Sequence, residues 1–186
     1  MNLQIAPMQT EMIAAVKKFT DEQIGHGYYS PEKIAGILQR SQGCSFVLID
    51  ENGTIWGVRL TFPPGAWLDL PRIGECIAPE AWPCGKEEAG YFQSLFLHPQ
   101  VQKQGWGGRM SEASLKALKG LGARAVVCHS WKESPGNSSQ KYLLKMGFKA
   151  VKEYENFWKP VDYTCTRCGK PCLCTAVEMV KPLEDK

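Results

Sequence analysis

The stretch VQKQGWGGRM, residues 101–110, places three glycines beside a tryptophan, between a strand pattern and a helix pattern. Glycine inside an ordinary helix or strand is unfavourable by roughly 0.5–1 kcal/mol relative to alanine. The clustered glycines therefore predict that something approaches the backbone closely here, either another element of the same chain or a ligand. The chain is thereby restricted to folds in which a strand passes through a tight turn directly into a helix.

The apolar periodicities predict alternating helices and strands along the rest of the chain. Helical spacing predicts a helix over residues 10–24 with Thr10 as N-cap, and a second over 30–43 with Ser30 as N-cap. Asn52-Gly53 between two alternating runs predicts a hairpin. Further strands are predicted over 45–50, 54–62, 90–97, 123–131 and 148–158, and further helices over 106–122 and 137–147. This α-α-β-β-β-α-β-α-β order predicts a mixed α/β layer structure.

Residues 63–88 interrupt this pattern with five prolines and three glycines. A loop of this length inside a compact domain is usually functional or disordered. Its two tryptophans and two cysteines argue against disorder, so we expect an ordered, functional loop.

Composition excludes several classes of protein. With 186 residues and 44% hydrophobic residues, the chain fits one domain with at most a small appendage. No stretch is long and apolar enough to cross a membrane, and the first residues lack the pattern of a signal peptide, so we expect a cytoplasmic protein. The net charge of +3 is mild and the basic residues are dispersed, which gives no indication of nucleic-acid binding. Exposed sheet edges would make a homodimer reasonable.

The glycine-rich turn has the composition of an anion site. The first four amides of a helix lack internal partners and carry partial positive charge, which attracts phosphate. Gly105, Gly107 and Gly108 would leave those amides uncovered, and Lys103 and Arg109 add positive charge, so that a diphosphate would fit. A tight turn in which the glycines serve only helix–sheet packing remains the alternative. Neither a P-loop nor the GxGxxG of a dinucleotide fold matches the sequence.

The segment LFLHPQVQKQGWGGRM resembles the acetyl-CoA segment of the GNAT N-acetyltransferase superfamily, whose signature is Gln/Arg-x-x-Gly-x-Gly/Ala. Gln102, Gly105 and Gly107 occupy those positions, and YLLKMGF, ending in Gly147-Phe148, resembles the family's later helix. The resemblance spans roughly residues 5–158. It implies a GNAT-like α/β fold with a mixed, largely antiparallel central sheet flanked by helices, followed by a short Cys-rich C-terminal appendage.

The resemblance also implies a binding site for acetyl-CoA. The strand that ends at Leu95, Phe96 and Leu97 would pair through its backbone with the pantetheine arm, and the following amides would hold the pyrophosphate. Asn137 and Ser138 would lie near the pantetheine end. The remaining implied contacts come from the turn itself: Gln102, Lys103, Gln104, Gly105, Trp106, Gly107, Gly108 and Arg109.

In this family an amine attacks the thioester directly, so a base must accept a proton and a donor must serve the departing thiolate. The family often supplies the donor as a tyrosine four residues before the Gly-Phe glycine, where this chain has Leu143. Tyr142 is one position away and is the candidate donor, with ordinary packing as the alternative. Glu88 and His129 are the candidate bases, each with a structural alternative. Trp67, Trp82, Tyr91 and Gln93 are the candidate residues of the acceptor pocket.

The block CTRCGKPCLC places four of the eight cysteines within ten residues. In a cytosolic chain such a block indicates metal before disulfides. Zn²⁺ takes four thiolates tetrahedrally at about 2.3 Å, so Cys165, Cys168, Cys172 and Cys174 are the candidate ligands of a structural zinc. Because the spacing is shorter than in a two-knuckle ribbon, Cys76, Cys84 or a histidine could replace one ligand. A redox dithiol, or simply reduced thiols, remain alternatives.

Together these features predict an acetyltransferase domain over residues 1–160 and a Cys-rich tail over 161–186. The predicted function is transfer of an acetyl group from acetyl-CoA to a primary amine of a small molecule or peptide. Two alternatives remain open: a non-catalytic acyl-CoA-binding sensor, and a metal or thiol-redox sensor that acts through the C-terminal cysteines.

Overall fold

The computed structural model describes residues 2–183. Within this range the strands are β1 (Leu3–Pro7), β2 (Phe46–Asp50), β3 (Ile55–Phe62), β4 (Ala89–Leu97), β5 (Ala125–Trp131), β6 (Lys149–Tyr154) and β7 (Ala176–Pro182). The helices are α1 (Ile13–Ile24), α2 (Pro31–Ser41), α3 (Trp106–Gly120) and α4 (Ser138–Lys145). The strands form one sheet in the order β1-β2-β3-β4-β5-β7-β6. Only the β4–β5 pair is parallel, which confirms the predicted mixed, largely antiparallel sheet flanked by helices.

The helices cover the two faces of the sheet in pairs. Val16 of α1 and Ile34 of α2 lie in the core on one face, together with side chains of β2 and β3. Leu118 of α3 and Leu143 of α4 lie in a second core on the other face, against β5 and β7. The sheet therefore separates an α1–α2 side from an α3–α4 side.

Local sequence signals account for several element boundaries. Ser30 caps α2 as predicted, because its hydroxyl accepts from the amide of Lys33 at 3.2 Å. The predicted hairpin between β2 and β3 also forms, with Gly53 at a φ of +78°. The prediction for the first helix is partly wrong: residues 10–12 form a 3₁₀ turn, and α1 begins at Ile13 with Met12 rather than Thr10 at its N-cap.

The predicted element order omits two strands. Neither β1 nor β7 was expected, and residues 155–158, expected to continue the final strand, lie in a turn. β7 pairs with β5 on one side and β6 on the other, so residues 176–182, assigned from sequence to the tail, form an inner strand of the sheet. The cysteine block lies in the connection between β6 and β7.

The long connection over residues 63–88 is ordered and packs on the α1–α2 side of the sheet. Trp67 and Trp82 from this connection are members of the core there. No helix in the described part of the chain combines the length and apolar character that a membrane span requires.

Candidate functional site

β4 and β5 diverge halfway along their length. Their parallel pairing runs from Ala89–Ala125 to Phe92–Cys128. Gln93, the next residue of β4, is the extra residue of a β-bulge opposite β3, and such a bulge bends the strand. Within residues 2–183, no strand pairs with the β5-facing edge of β4 beyond Phe92. The backbone groups of this edge, over residues 93–97, are therefore available to an extended ligand, except that the Leu97 carbonyl also accepts from the Gln102 side chain.

The glycine-rich turn follows directly from this open edge. Gly105 is the N-cap of α3 with a φ of +84°, a conformation that favours glycine. A Cβ added to Gly107 would make ordinary van der Waals contacts with Leu95, Leu97 and Tyr142 at 3.5–3.6 Å, so packing does not require glycine there. A Cβ on Gly108 would meet nothing within 4 Å, so neither packing nor backbone geometry requires glycine there. Gly108 instead leaves uncovered space above the first turn of the helix.

The polar side chains of the turn divide into two groups. The side-chain amide of Gln102 donates to the carbonyl of Leu97 at 2.9 Å, and the side-chain amide of Gln104 donates to the carbonyl of Gln100 at 2.8 Å. These two glutamines shape the turn. Lys103 and Arg109 are exposed, and the Arg109 guanidinium lies 4.9 Å from the centre of the Trp106 ring. Together with the unpaired first-turn amides of α3, these two cations make the turn electropositive.

The start of α4 lies beside the divergence point on the β5 side. The amide of Trp131, the last residue of β5, donates to Oγ of Ser139 at 3.3 Å and so joins the strand to the helix. Asn137 is the N-cap of α4, and Ser138 is its first residue. The Oδ1 atom of Asn137 is buried with no hydrogen-bond partner among the described residues. This leaves a carbonyl-type acceptor unused at the place where Asn137 and Ser138 were expected to meet the pantetheine end.

Tyr142 connects α4 to the first turn of α3. Its hydroxyl donates to the carbonyl of Gly107 at 2.8 Å and lies 2.7 Å from Oγ of Ser111. Ser111 accepts in turn from the buried guanidinium of Arg59 at 2.7 Å. Burial raises the pKa of the Tyr142 hydroxyl. In this arrangement the one proton of Tyr142 is used to hold the glycine-rich turn.

His129 is half-buried, and both of its ring nitrogens contact protein groups. Its Nε2 lies 2.7 Å from the Cys76 carbonyl, which only accepts, so Nε2 carries the proton and donates. Its Nδ1 lies 2.8 Å from the Tyr91 hydroxyl and accepts from it. Burial lowers the pKa of His129 to about 4, and the ring stacks on Phe157 with 4.6 Å between centroids. This geometry supports the structural alternative for His129 over the role of a base.

Glu88 ends the 3₁₀ turn directly before β4, at the opposite end of the strand from the open edge. Its carboxylate contacts the Arg124 guanidinium at 3.0 Å and accepts from the amide of Gly85 at 3.0 Å. The hydrogen bond from Arg124 is the main reason that the pKa of Glu88 is lowered. The structure therefore does not bring Glu88 to the point where β4 and β5 diverge. Glu88 was the only carboxylate among the two candidate bases.

The two loop tryptophans are interior residues. Trp67 is fully buried, donates from its indole nitrogen to the Ala89 carbonyl at 2.8 Å, and stacks on Tyr91. Trp82 donates from its indole nitrogen to Oε1 of Glu178 at 2.6 Å. Both rings hold the 63–88 connection against the sheet. The two rings therefore lie in the core rather than at an open surface.

The bulge contains a polar cluster that sequence reasoning missed. The hydroxyl of Tyr29, from the connection between α1 and α2, lies 2.7 Å from Oγ of Ser94. The Gln93 amide donates to the same hydroxyl at 3.3 Å, and Oε1 of Gln93 is buried with no partner among the described residues. Burial raises the pKa of Tyr29 to about 12. The sequence shows only a Tyr-Tyr pair before a helix, and nothing local indicates that Tyr29 reaches β4.

The four clustered cysteines converge as predicted. The sulfur atoms of Cys165, Cys168, Cys172 and Cys174 all lie within 4.8 Å of one another. Cys168 lies 3.8 Å from Cys172 and 3.6 Å from Cys174, measured between sulfurs. A tetrahedron with metal–sulfur bonds of about 2.3 Å has sulfur–sulfur edges of about 3.8 Å, whereas a disulfide requires about 2.05 Å. The spacing therefore fits a shared metal ion.

The backbone around the sulfurs has the form of a metal-binding turn. The amides of Arg167 and Leu173 donate to the sulfurs of Cys165 and Cys168, each at 3.4 Å. Cys165 and Gly169 exchange two backbone hydrogen bonds of 3.0 Å, and Gly169 has a φ of +77°. Donation to sulfur favours the thiolate form that a metal requires. The expected replacement of a ligand by Cys76, Cys84 or a histidine is not needed.

Residues 12–148 match the model of the acetyltransferase (GNAT) family, which is more than half of the chain. The chain therefore belongs to this family, and it is an enzyme of the acyltransferase class. The resemblance carried by the glycine-rich turn is thereby confirmed. No curated protein sequence matches the chain significantly.

Solved structures of acetyltransferases share the fold. Ard1 from Thermoplasma volcanium is 11% identical with a TM-score of 0.70, and the similarity covers 100% of both chains. The ribosomal-protein-S18-alanine N-acetyltransferase from Escherichia coli is 14% identical with a TM-score of 0.68, covering 100% of this chain and 96% of that chain. The polyamine N-acetyltransferase of Drosophila melanogaster is 14% identical with a TM-score of 0.66, covering 98% and 100%. At these identities the likeness shows the fold alone.

Proposed function

We propose that the protein is an N-acetyltransferase that moves the acetyl group of acetyl-CoA to a primary amine. One observation carries this proposal: the unpaired edge of β4 leads directly into the uncovered first turn of α3. An extended amide-containing chain that ends in a diphosphate has the shape and hydrogen-bonding groups to occupy both. Coenzyme A has these two parts in this order.

Each part of the donor has a proposed partner. The backbone of residues 94–97 would pair with the pantetheine amides as an added strand. The amides from Gly105 to Gly108 would hold the pyrophosphate, assisted by the charges of Lys103 and Arg109. Asn137, with its unused Oδ1, and Ser138 would meet the pantetheine from the α4 side.

The acceptor amine would approach from the α1–α2 side of the sheet, since α3 and α4 lie on the donor side. The amine nitrogen forms its bond to the thioester carbonyl carbon, and the carbon–sulfur bond then breaks. The amine must be neutral to attack, and the departing CoA thiolate takes up one proton. Both ring nitrogens of His129 have protein partners, and Glu88 lies at the far end of β4. Water at the divergence point is therefore the proposed route for the amine proton. Tyr142, the donor candidate from the sequence, already donates its proton to the Gly107 carbonyl, so water is also the proposed source of the proton that the thiolate takes up.

We further propose that Cys165, Cys168, Cys172 and Cys174 hold a structural Zn²⁺. The sulfur spacing near 3.8 Å and the amides directed at two of the sulfurs support this assignment. Bound zinc would fix the β6–β7 connection, and Arg167 and Lys170 would offset part of the thiolate charge. The eight unpaired thiols also favour a reducing compartment such as the cytoplasm.

The proposed transfer is tested in two steps. Calorimetry with CoA should give one site per chain, and an empty titration would contradict the donor assignment. At least one amine of a test panel should then release CoA from acetyl-CoA. The panel should include spermidine and a peptide with an amino-terminal alanine, because a polyamine acetyltransferase and an S18-alanine acetyltransferase have similar folds. CoA binding without release by any amine would instead favour a non-catalytic acyl-CoA sensor.

The zinc assignment has its own test. Protein purified without added metal should contain about one zinc per chain by elemental analysis, and chelation should expose four additional thiols to a thiol reagent. Metal-free protein with all eight thiols already reactive would exclude the site.

A further inference from the structure

The cysteine segment, residues 163–175, packs closely against the connection between α1 and α2. Gly25 has a φ of +120°, and a Cβ there would lie 2.0 Å from the carbonyl oxygen of Thr164. The amide of Thr164 also donates to the carbonyl of His26 at 3.4 Å. The two backbones therefore meet at a distance that only glycine permits. The segment that carries the metal ligands thus fixes the end of α1.

A row of aromatic rings continues from this contact. The ring of Tyr163 meets that of Tyr28 edge to face at 4.8 Å between centroids, and Tyr28 meets Tyr29 in the same way at 4.8 Å. The indole nitrogen of Trp158 donates to the Tyr28 hydroxyl at 3.1 Å. Tyr28, Tyr29 and Tyr163 are all buried. A close-packed row of this kind transmits displacement, because it has no free volume to absorb it.

The row of aromatic rings ends at the bulge of β4, beside the place proposed for the acetyl transfer. The Tyr29 hydroxyl contacts Ser94 at 2.7 Å and accepts from Gln93 at 3.3 Å. These two residues form the bulge at which β4 leaves β5, next to the proposed position of the thioester. The unpartnered Oε1 of Gln93 provides an acceptor for an amine N–H at the same place.

The cysteine segment has little regular structure of its own. Its one internal backbone pairing in the described chain joins Cys165 and Gly169. Three of its four cysteines are buried. Without a bound metal, nothing covalent or coordinate would hold these sulfurs together, and the backbone that seats Tyr163 would gain freedom.

We propose that the metal held by the four cysteines positions Tyr29, through Tyr163 and Tyr28, at the acceptor side of the bulge, so that metal occupancy controls acceptor use and not CoA binding. This inference rests on the proposed acetyl transfer for its functional consequence. Tyr29 is a positioning residue in this arrangement. Ser94 and Gln93 are the groups through which it acts.

The first experiment measures amide hydrogen exchange in zinc-loaded and chelator-treated protein. Exchange over residues 25–30 and 163–175 should accelerate at least tenfold on metal removal. Residues 125–131 of β5 serve as the internal control and should change less than twofold. Uniform acceleration of all segments, unchanged exchange over 25–30, or absence of metal in the purified protein would each overturn the proposal.

The second experiment compares ligand variants. Cys168→Ser removes the one exposed ligand, whereas Cys168→His keeps a ligand atom, and Cys84→Ser changes a cysteine outside the cluster. Cys168→Ser should raise the KM for spermidine, or for the alanine peptide, at least tenfold and leave the Kd for CoA within twofold. Cys168→His and Cys84→Ser should resemble the unaltered chain. An equal loss of CoA affinity in Cys168→Ser would contradict the separation of the two effects.

Tyr29→Phe tests the end of the row without disturbing the metal. The ring remains, so the variant should keep its zinc and its Kd for CoA while its KM for the amine rises three- to tenfold. An unchanged KM would refute the role of Tyr29. Failure of CoA to bind to the unaltered protein would instead refute the proposed transfer, and the exchange experiment would still decide whether the metal and residues 25–30 are coupled.

Discussion

Trp82 and Glu178 are 96 positions apart in the chain, yet the indole nitrogen of Trp82 donates to Oε1 of Glu178 at 2.6 Å. The amide of Ala78 donates to the same oxygen at 3.2 Å, and the Tyr154 hydroxyl donates to Oε2 at 2.9 Å. A fully buried carboxylate thus joins the 63–88 connection and β6 to the inner strand β7.

We expect Glu178→Gln to destabilise the protein by about 2–3 kcal/mol, because Glu178 accepts three buried hydrogen bonds and the amide group of glutamine would face a donor. Chemical denaturation would measure this loss. Glu153→Gln is the matched control, since Glu153 forms an exposed ion pair with Lys132 and should change stability by less than about 1 kcal/mol. Equal effects of the two variants would contradict the role of the buried carboxylate.

Gly108→Ala should change stability and CoA affinity in opposite directions. The added methyl group meets no protein atom within 4 Å, so the helix should gain about 0.5–1 kcal/mol in unfolding free energy. The same methyl group would stand over the proposed pyrophosphate site, and the Kd for CoA should rise at least tenfold. Thermal unfolding and calorimetry give the two quantities.

Gly120→Ala is the control for this substitution. Gly120 also lies in α3 with open space around it, but at the far end of the helix. It should gain similar stability and keep its Kd for CoA. A Gly108→Ala variant that binds CoA normally would show that the glycine-rich turn does not hold the pyrophosphate.

His129 should make stability depend on pH in a defined window. Burial lowers its pKa to about 4 in the folded chain, against about 6.5 in an unfolded one, so the unfolded state binds more protons between these values. The contribution of about 3 kcal/mol is fully present above pH 6.5 and is lost as the pH falls toward 4. Denaturation between pH 7 and 4 would show this slope. His129→Gln should flatten it, and an unchanged slope in this variant would contradict the assignment to His129.

Tyr142→Phe distinguishes a structural role of the hydroxyl, in holding the glycine-rich turn, from a catalytic role as proton donor to CoA. Because its proton is donated to the Gly107 carbonyl, we expect a loss of about 1 kcal/mol in stability and a few-fold weaker CoA binding. The value of kcat should fall less than fivefold. The decrease of kcat at high pH, which would report the loss of a donor's proton, should be unchanged. A fall in kcat of a hundredfold or more, together with loss of that decrease at high pH, would identify Tyr142 as the proton donor to CoA.

Local patterns were sufficient to predict most of the elements that lie around the site. The capped helix α2, the β2–β3 hairpin and the strand–turn–helix unit around Gly105 follow from residues close together in sequence. β1 was missed because it is five residues long and ends at a proline. β7 was missed because Glu178 interrupts its apolar run, and only the donors brought by Trp82, Ala78 and Tyr154 make a carboxylate acceptable there.

The candidate site was predicted unevenly for a similar reason. The uncovered first turn of α3 is indicated by its glycines, and the metal ligands are indicated by the spacing of the four cysteines. Both features can therefore be recognised in the sequence. The surroundings of His129 and the contact between Tyr29 and Ser94 arise from residues 38 to 65 positions apart. Long-range contacts of this kind leave no local pattern. The two candidate bases were therefore predicted from residue type and from their positions next to predicted strands, without knowledge of their partners.

The inner position of β7 also sets an order of events during synthesis. β6 has no direct pairing with β5, so it belongs to the sheet only through β7, which pairs with both strands. Until residue 182 has left the ribosome, the nascent chain exposes the β5 edge, a template for wrong pairing with other chains. Folding of the earlier strands can precede this step, but closure of the sheet and docking of the cysteine segment must wait for it.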